Sequence, residues 1–155
     1  MLNFFKKLKK SEVFKKWKRE NKDFFLCGCF SMFDDSEEFW QFDFYNKEKD
    51  KMTSFKVDEK IEIQLEDDVF SENKDVIGEI DLEKVKFSIK DVLKKVNENY
   101  SGVKRKIVIL QSKDCLIWNI TLLMHGTNVV NLKISAENGE ILKESKENFM
   151  NLGNS

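Results

Sequence analysis

The chain has 155 residues, of which 41% are hydrophobic and 35% are charged. This balance excludes an apolar membrane protein and argues against a disordered chain. The formal net charge is −1. The chain as a whole therefore lacks the basic excess that nucleic-acid binding requires, and we expect no nucleic acid among its partners.

Charge is distributed unevenly along the chain. Residues 1–22 contain nine Lys or Arg and two Glu, and the remainder is acidic. Residues 1–10 predict a basic amphipathic arm, because large apolar residues alternate there with lysines at helical spacing. We expect the arm either to pack on the acidic body or to contact an anionic membrane surface or a partner. The candidate contact residues are Phe4, Phe5, Lys6, Lys7, Leu8, Lys9 and Lys10.

Residues 11–57 predict one helix followed by three strands. Ser11 is a typical N-cap for a helix in SEVFKKWKREN, where Phe14 and Trp17 share one face. Strands are indicated by the aromatic-rich run DFFLCGCFSMF, by the alternating run FWQFDFY and, after a polar hairpin loop, by MTSFKV.

Residues 58–87 predict an acidic connector rather than a domain. The alternation of Ile61, Ile63 and Leu65 indicates a short strand within it. The run EDDVFSENKD that follows is typical of an exposed loop.

Residues 88–144 predict a second helix followed by strands. Ser88 and Asp91 form a capping-box pattern at the start of SIKDVLKKVNENY. KIVILQ, CLIWNITLLM, VVNLKIS and EILKES indicate strands, and Asn138-Gly139 indicates a tight hairpin between the last two. The tail, residues 145–155, has no periodic pattern, and we expect it to fray.

The two segments share the same order of elements. Trp40 and Trp118 begin matching alternating strands, and the helices and strands recur at a nearly constant separation. We therefore predict an α+β fold of two α-β-β-β units, 11–57 and 88–144, each a helix packed on an antiparallel sheet. The two sheets would either pack through their outer faces or continue edge to edge. We expect both tryptophans to lie in the core rather than to form a ligand platform.

The C-terminal segment resembles a known family. The run from Trp118 to Lys143, which ends KISAENGEIL, is similar to the end of a PepSY domain, a small α+β module related in shape to cystatins. Ser135 and Asn138 depart from the usual Asp and Thr of the closing hairpin. The resemblance covers residues 88–144, with 11–57 as a weaker second copy. It implies a fold and a class of inhibitory propeptides or accessory domains, and it implies no chemistry.

Residues suited to catalysis are few. His125 is the single histidine, and the chain has no phosphate-binding glycine loop and no nucleophile elbow. Cys27, Cys29 and Cys115 could join His125 in a zinc set, but a C-x-C pair in a strand is a weak zinc pattern, and buried thiols acting as small hydrophobes are commoner. We predict no enzyme activity, no cofactor and no metal.

Together these patterns predict a non-catalytic protein-binding or regulatory module that offers a curved sheet or an exposed edge to another protein. The alternative is a membrane-peripheral accessory protein docked through its basic N-terminal helix. The start, MLNFFKKLKK, lacks the features of a signal peptide, so we expect a cytoplasmic location with reduced thiols. The partner and the oligomeric state are left open.

Overall fold

The computed structural model describes residues 1–66 and 77–148 of the chain. The helices are α1 (Leu2–Lys10), α2 (Glu12–Glu20) and α3 (Ile89–Asn99), with a short 3₁₀ helix at Leu82–Lys84 before α3. The strands are β1 (Phe25–Phe33), β2 (Trp40–Asn46), β3 (Lys51–Val57), β4 (Ile61–Glu66), β5 (Val103–Ser112), β6 (Leu116–Met124), β7 (Asn128–Ser135) and β8 (Ile141–Asn148).

All eight of these strands belong to one antiparallel sheet. Its order is β4-β3-β2-β1-β5-β6-β7-β8, so consecutive strands are neighbours except where β1 pairs with β5. That pairing runs from Gly28 opposite Gln111 to Phe33 opposite Lys106. The prediction of two separate helix-on-sheet units is therefore wrong, because the strands form a single continuous sheet. A sequence pattern locates a strand, but it does not specify which strand its free edge will pair with.

The proposed boundaries between units and connector stay predictions. Within the predicted connector, β4 forms where the alternation indicated a strand. The predicted loop EDDVFSENKD lies mostly outside the described residues. Of the tail predicted over 145–155, residues 145–148 belong to β8 instead of fraying, and the rest lies outside the described residues. Where the chain is described again, the Gly78 amide donates to the Ser112 carbonyl and the Ile80 amide to the Leu26 carbonyl, which returns the chain from the sheet edge to its middle.

Helices α2 and α3 begin where the sequence predicts. The Phe14 amide donates to Ser11 Oγ at 3.2 Å, and Ser88 and Asp91 form a complete capping box. The hairpin turn before β8 uses Gly139 at φ +78°, and a Cβ there would lie 2.7 Å from the Phe87 ring. Glycine is thus required at this turn for both its conformation and its close approach.

The helices pack on one side of the sheet, which we call the inner face. Under α2, the rings of Phe14 and Trp17 contact those of Phe44 and Phe55, with centroid separations between 5.1 and 5.4 Å. Aromatic contacts of this kind stabilise by their area and by their edge-to-face geometry.

The inner face is continuous across the β1–β5 junction. Trp40 and Trp118 are both fully buried, with ring centroids 6.5 Å apart, so their prediction as core residues is confirmed. Trp118 Nε1 donates to the Phe87 carbonyl at 2.8 Å, which fixes the segment before α3 to the sheet. On α3, Val92 and Val96 complete the same core.

Helix α1 also contributes to this core. Leu8 is fully buried and the Phe5 ring lies 5.1 Å from that of Phe42, whereas Leu2 is 53% exposed. No helix in the described ranges is long and apolar enough to cross a membrane.

The inward packing of α1 can be tested within a single helix. We expect Leu8→Ala to lower the free energy of unfolding by about 2–5 kcal/mol, because it leaves a cavity in the core. Leu2→Ala on the same helix is the matched control and should cost under ~0.5 kcal/mol. Urea denaturation measures both, and equal small losses would show that α1 does not pack on the sheet.

Candidate functional site

The side of the sheet opposite the helices, the outer face, carries apolar side chains near its centre. We call these five residues the outer apolar patch: Phe30, Met32, Phe39, Ile107 and Ile109. All five are half-buried, and none belongs to the core that the helices complete. In the described part of the chain, their burial therefore comes from neighbours on the sheet and its loops.

The register places these side chains together. Phe30 lies opposite Ile109 and Met32 opposite Ile107 across the β1–β5 junction. The Phe39 ring lies 5.9 Å from the Phe30 ring, and Lys56 Nζ sits 4.9 Å from the Phe39 centroid. Because directly opposite residues on one face of a sheet are in contact, the patch is contiguous.

A polar rim flanks the patch on both sides. Next to Phe30 across β2 lies Gln41, and next to Ile109 across β6 lies Asn119, which is itself opposite Lys133. Asn119 Oδ1 accepts a hydrogen bond from Asn131 Nδ2 at 2.8 Å. An apolar centre with a polar, hydrogen-bonded rim is the usual arrangement at protein–protein interfaces.

Asp43 is a carboxylate on the outer face, two residues from Gln41 of the rim along β2. Its Oδ1 accepts from Ser54 Oγ at 2.5 Å and from Gln41 Nε2 at 3.0 Å. Gly28 stands opposite it on β1, and a Cβ there would lie 3.2 Å from Asp43 Oδ2. The glycine therefore leaves room for the carboxyl group at the surface of the sheet.

Burial changes the acidity of this region. Desolvation raises the pKa of Asp43, although its hydrogen bonds from Ser54 and Gln41 oppose the shift. Cys27 Sγ donates to the Asp43 carbonyl at 3.3 Å, and burial together with the Asp43 charge raises the pKa of this thiol to about 12. Burial likewise raises the pKa of Cys29 well above its usual range.

Asp43→Asn tests the cost of this half-buried carboxylate, because asparagine keeps the size and an acceptor oxygen. A raised folded-state pKa means that ionised Asp43 destabilises the fold above that pKa, and that the cost disappears below the unfolded value of 3.8. We therefore expect Asp43→Asn to be more stable relative to the native chain at about pH 7 than at about pH 3, so that its free energy of unfolding exceeds the native value by more at the higher pH.

Urea denaturation at the two pH values measures this difference. Asp35→Asn removes one negative charge at an exposed position and serves as the control. A difference for Asp43→Asn that stays constant with pH, or that grows toward low pH, would contradict the assignment.

The cysteines and the histidine do not form one site. Cys29 is fully buried on the inner face, Cys115 is exposed in the turn before β6, and His125 is exposed after that strand. The interpretation of the cysteines as buried hydrophobes is confirmed for Cys29 and wrong for Cys115. Among the residues that the structure describes, no group of three His, Cys, Asp or Glu could hold a metal ion.

Thiol reactivity should follow this placement. Because the thiolate is the nucleophile, Cys27 and Cys29 should react slowly: the pKa of each thiol is raised, Cys29 is fully buried and Cys27 is half-buried. At about pH 8 we expect a disulfide reagent such as DTNB to modify one thiol quickly, Cys115, and the other two only after unfolding. Cys115→Ser should remove the fast phase. Fast modification of two thiols in the folded chain would contradict the low reactivity assigned to the two cysteines of β1.

The structure divides the predicted contact residues of the N-terminal arm into two groups. Phe4, Phe5 and Leu8 pack against the core, so the apolar side of α1 is occupied within the chain. The lysines of the helix are exposed: Lys6, Lys7, Lys9 and Lys10. Among them, Lys7 Nζ donates to the Asp58 and Glu59 carbonyls, at 2.5 and 3.1 Å.

Sequence reasoning missed the outer apolar patch and Asp43. The alternation in FWQFDFY places Asp43 on the face opposite Trp40, Phe42 and Phe44, and it does not indicate what surrounds the carboxyl group there. One available signal was KIVILQ, where Ile107 and Ile109 are as apolar as their inward neighbours. A strand that is apolar on both faces indicates that both faces are at least partly buried.

Comparison with known proteins finds a structure with a similar fold but does not identify a family. No family model matches the chain, and no curated protein matches it either. A crystal structure of a putative lipoprotein from Clostridium difficile 630 is similar, with a TM-score of 0.62 at 17% identity; the match covers 88% of this chain and 91% of that one. This likeness concerns the fold alone, and the resemblance to PepSY domains stays a prediction.

Proposed function

We propose that the chain is a non-catalytic protein-binding module whose partner binds to the outer apolar patch. The observation that carries the proposal is that the described helices cover only one face of the sheet. The described helices pack on the inner face, while Phe30, Met32 and Ile109 sit on the other side without joining that core. Apolar residues that adjoin across two strands and have a polar rim are typical of an interaction surface.

A protein partner suits this surface better than a small ligand does. The patch lies on the face of a sheet rather than in an enclosed cleft, and small-molecule sites are usually concave. A partner that buries Phe30 and Phe39 would gain from the two aromatic rings, which are common at the centre of protein interfaces. The rim amides of Gln41 and Asn119 can exchange hydrogen bonds with the same partner.

A non-catalytic role is supported by the positions of the reactive groups. His125 is exposed in a turn, and the Cys27 thiol, with its pKa near 12, is a poor nucleophile. The resemblance to PepSY domains, whose family includes inhibitory and accessory modules, agrees with a binding role. A cytoplasmic location stays a prediction.

Site-specific photo-crosslinking in the cells that express the chain tests this proposal. A benzophenone amino acid replaces Met32 or Ile107, which face each other on the outer face, or, as the control, Lys16, which is exposed on α2. We expect the same protein to be captured from positions 32 and 107 and to be missing from position 16.

A second variant tests whether the captured protein binds to the outer apolar patch. Ile109→Lys places a charge beside both crosslinking positions, and we expect it to reduce the captured product about tenfold or more. Circular dichroism and the melting temperature establish that this variant is folded. Equal capture from position 16, or capture unaffected by Ile109→Lys in a folded chain, would contradict the proposal.

A further inference from the structure

The first two helices carry a second surface, on the side of the molecule away from the outer apolar patch. Nine basic residues project from α1, α2 and the turn after them, and all except the half-buried Lys18 are exposed. We call this set the basic helical surface: Lys6, Lys7, Lys9, Lys10, Lys15, Lys16, Lys18, Arg19 and Lys22.

Five of these cations surround a shallow concavity. Lys9, Lys15, Lys18, Arg19 and Lys22 line it, with the Phe14 ring at its floor. Among the residues that the structure describes, none in this lining is acidic. The ion pair between Lys15 and Glu12 is 3.6 Å long and both side chains are exposed, so it neutralises little of this charge. Asp23 and Glu79 act electrostatically on Lys18. Desolvation lowers the pKa of Lys18, which agrees with its half-buried position.

The contacts of this surface are electrostatic, because the large apolar side chains of both helices are used elsewhere. Leu8, Phe14 and Trp17 are buried on the sheet. Two apolar residues of these helices remain outside, Leu2 at 53% and Val13 at 45% exposure. Two such residues can contribute to a contact of this surface, but the basic residues dominate it.

We propose that the basic helical surface docks the protein on a bilayer that contains anionic lipids. This is a second interaction surface, independent of the proposed protein-binding face. A cluster of four to eight Lys or Arg on an amphipathic helix is the usual electrostatic signature of binding to anionic headgroups. The charge is one-sided, since the remainder of the chain is acidic and would be repelled by the same membrane.

The composition of the surface favours a bilayer over a nucleic acid or an acidic protein. Eight of the nine cations are lysines. Lysine acts as a point charge that suits a diffuse anionic surface, whereas the forked arginine side chain predominates where individual phosphates or carboxylates are recognised. The exposed Leu2 and Val13 belong to the same two helices, and they can enter the headgroup region of a bilayer.

The fold determines which way the outer apolar patch faces when the helices contact a membrane. The helices and the outer apolar patch lie on opposite sides of one sheet, so a protein held by its helices would turn the patch away from the membrane. The two surfaces could therefore be occupied at the same time.

Vesicle flotation with the full chain tests the proposal. The probes are phosphatidylcholine vesicles with and without about 30% phosphatidylserine, each at about 0.15 M and about 0.01 M salt. We expect the native chain to float with the anionic vesicles only, and more strongly at low salt. A variant that removes four of these cations should lower the partition coefficient about tenfold or more, since each cation near an anionic surface contributes roughly fivefold. It combines Lys9→Gln, Lys15→Gln, Arg19→Gln and Lys22→Gln. Lys18 is kept, because its Nζ donates to the Phe24 carbonyl at 2.6 Å.

A matched variant removes the same charge from the rest of the chain. Lys60→Gln, Lys104→Gln, Lys113→Gln and Lys143→Gln change four exposed lysines outside the helices and should leave the partition coefficient within about twofold of the native value. If the melting temperature of the helix variant is lowered, a double variant of two exposed residues, Lys10→Gln with Arg19→Gln, replaces it. We expect it to lower the partition coefficient in the same direction but by a smaller factor.

Three results would overturn the proposal. The first is equal flotation with neutral and anionic vesicles. The second is an equal loss in the two matched variants, which would reduce the effect to net charge. The third is binding of duplex DNA or polyglutamate as tightly as anionic vesicles at the same salt, which would assign the surface to another polyanion.

Discussion

The pairing of β1 with β5 is the interaction on which the rest of the structure depends. Each strand is the inner edge of one half of the chain, and an unpaired edge would expose a row of backbone donors and acceptors. Their pairing satisfies these groups and joins the strands into one sheet. It also brings Trp40 and Trp118 within 6.5 Å, so that a single core spans both halves.

Joining the halves creates two unlike sides. The helices cover the inner face, where the aromatic rings under α2 and the valines of α3 are removed from water. The same junction places Phe30 beside Ile109 on the outer face, which joins the apolar side chains of the first half to Ile107 and Ile109 of the second. The basic residues of α1 and α2 remain on the helical side because their helices bury the opposite stripe. The outer apolar patch thus depends on this strand pairing, whereas the basic helical surface depends on the packing of α1 and α2 against the inner face.

Much of the local structure could be predicted because it depends on short-range chemistry. Ser11 and Ser88 cap helices since their hydroxyls reach amides three residues away, and the alternation of FWQFDFY marks its inward residues whatever the neighbours of the strand are. The inward packing of Leu8 and the half-buried position of Asp43 were not accessible in this way. The first depends on where the sheet lies under α1, and the second on Gly28 and Ser54, which the register places opposite Asp43 on the two neighbouring strands.

By itself the sequence determined the helices and strands, the residues that face the core, and the concentration of positive charge near the start of the chain. Only the tertiary structure decided that the strands form one sheet, that its helices share one side, and that the other side presents Phe30 and Ile109 together. The reason is physical: periodicity and capping are set by neighbours within a few residues, whereas the pairing of strand edges and the covering of a sheet face are settled by the free energy of the whole chain.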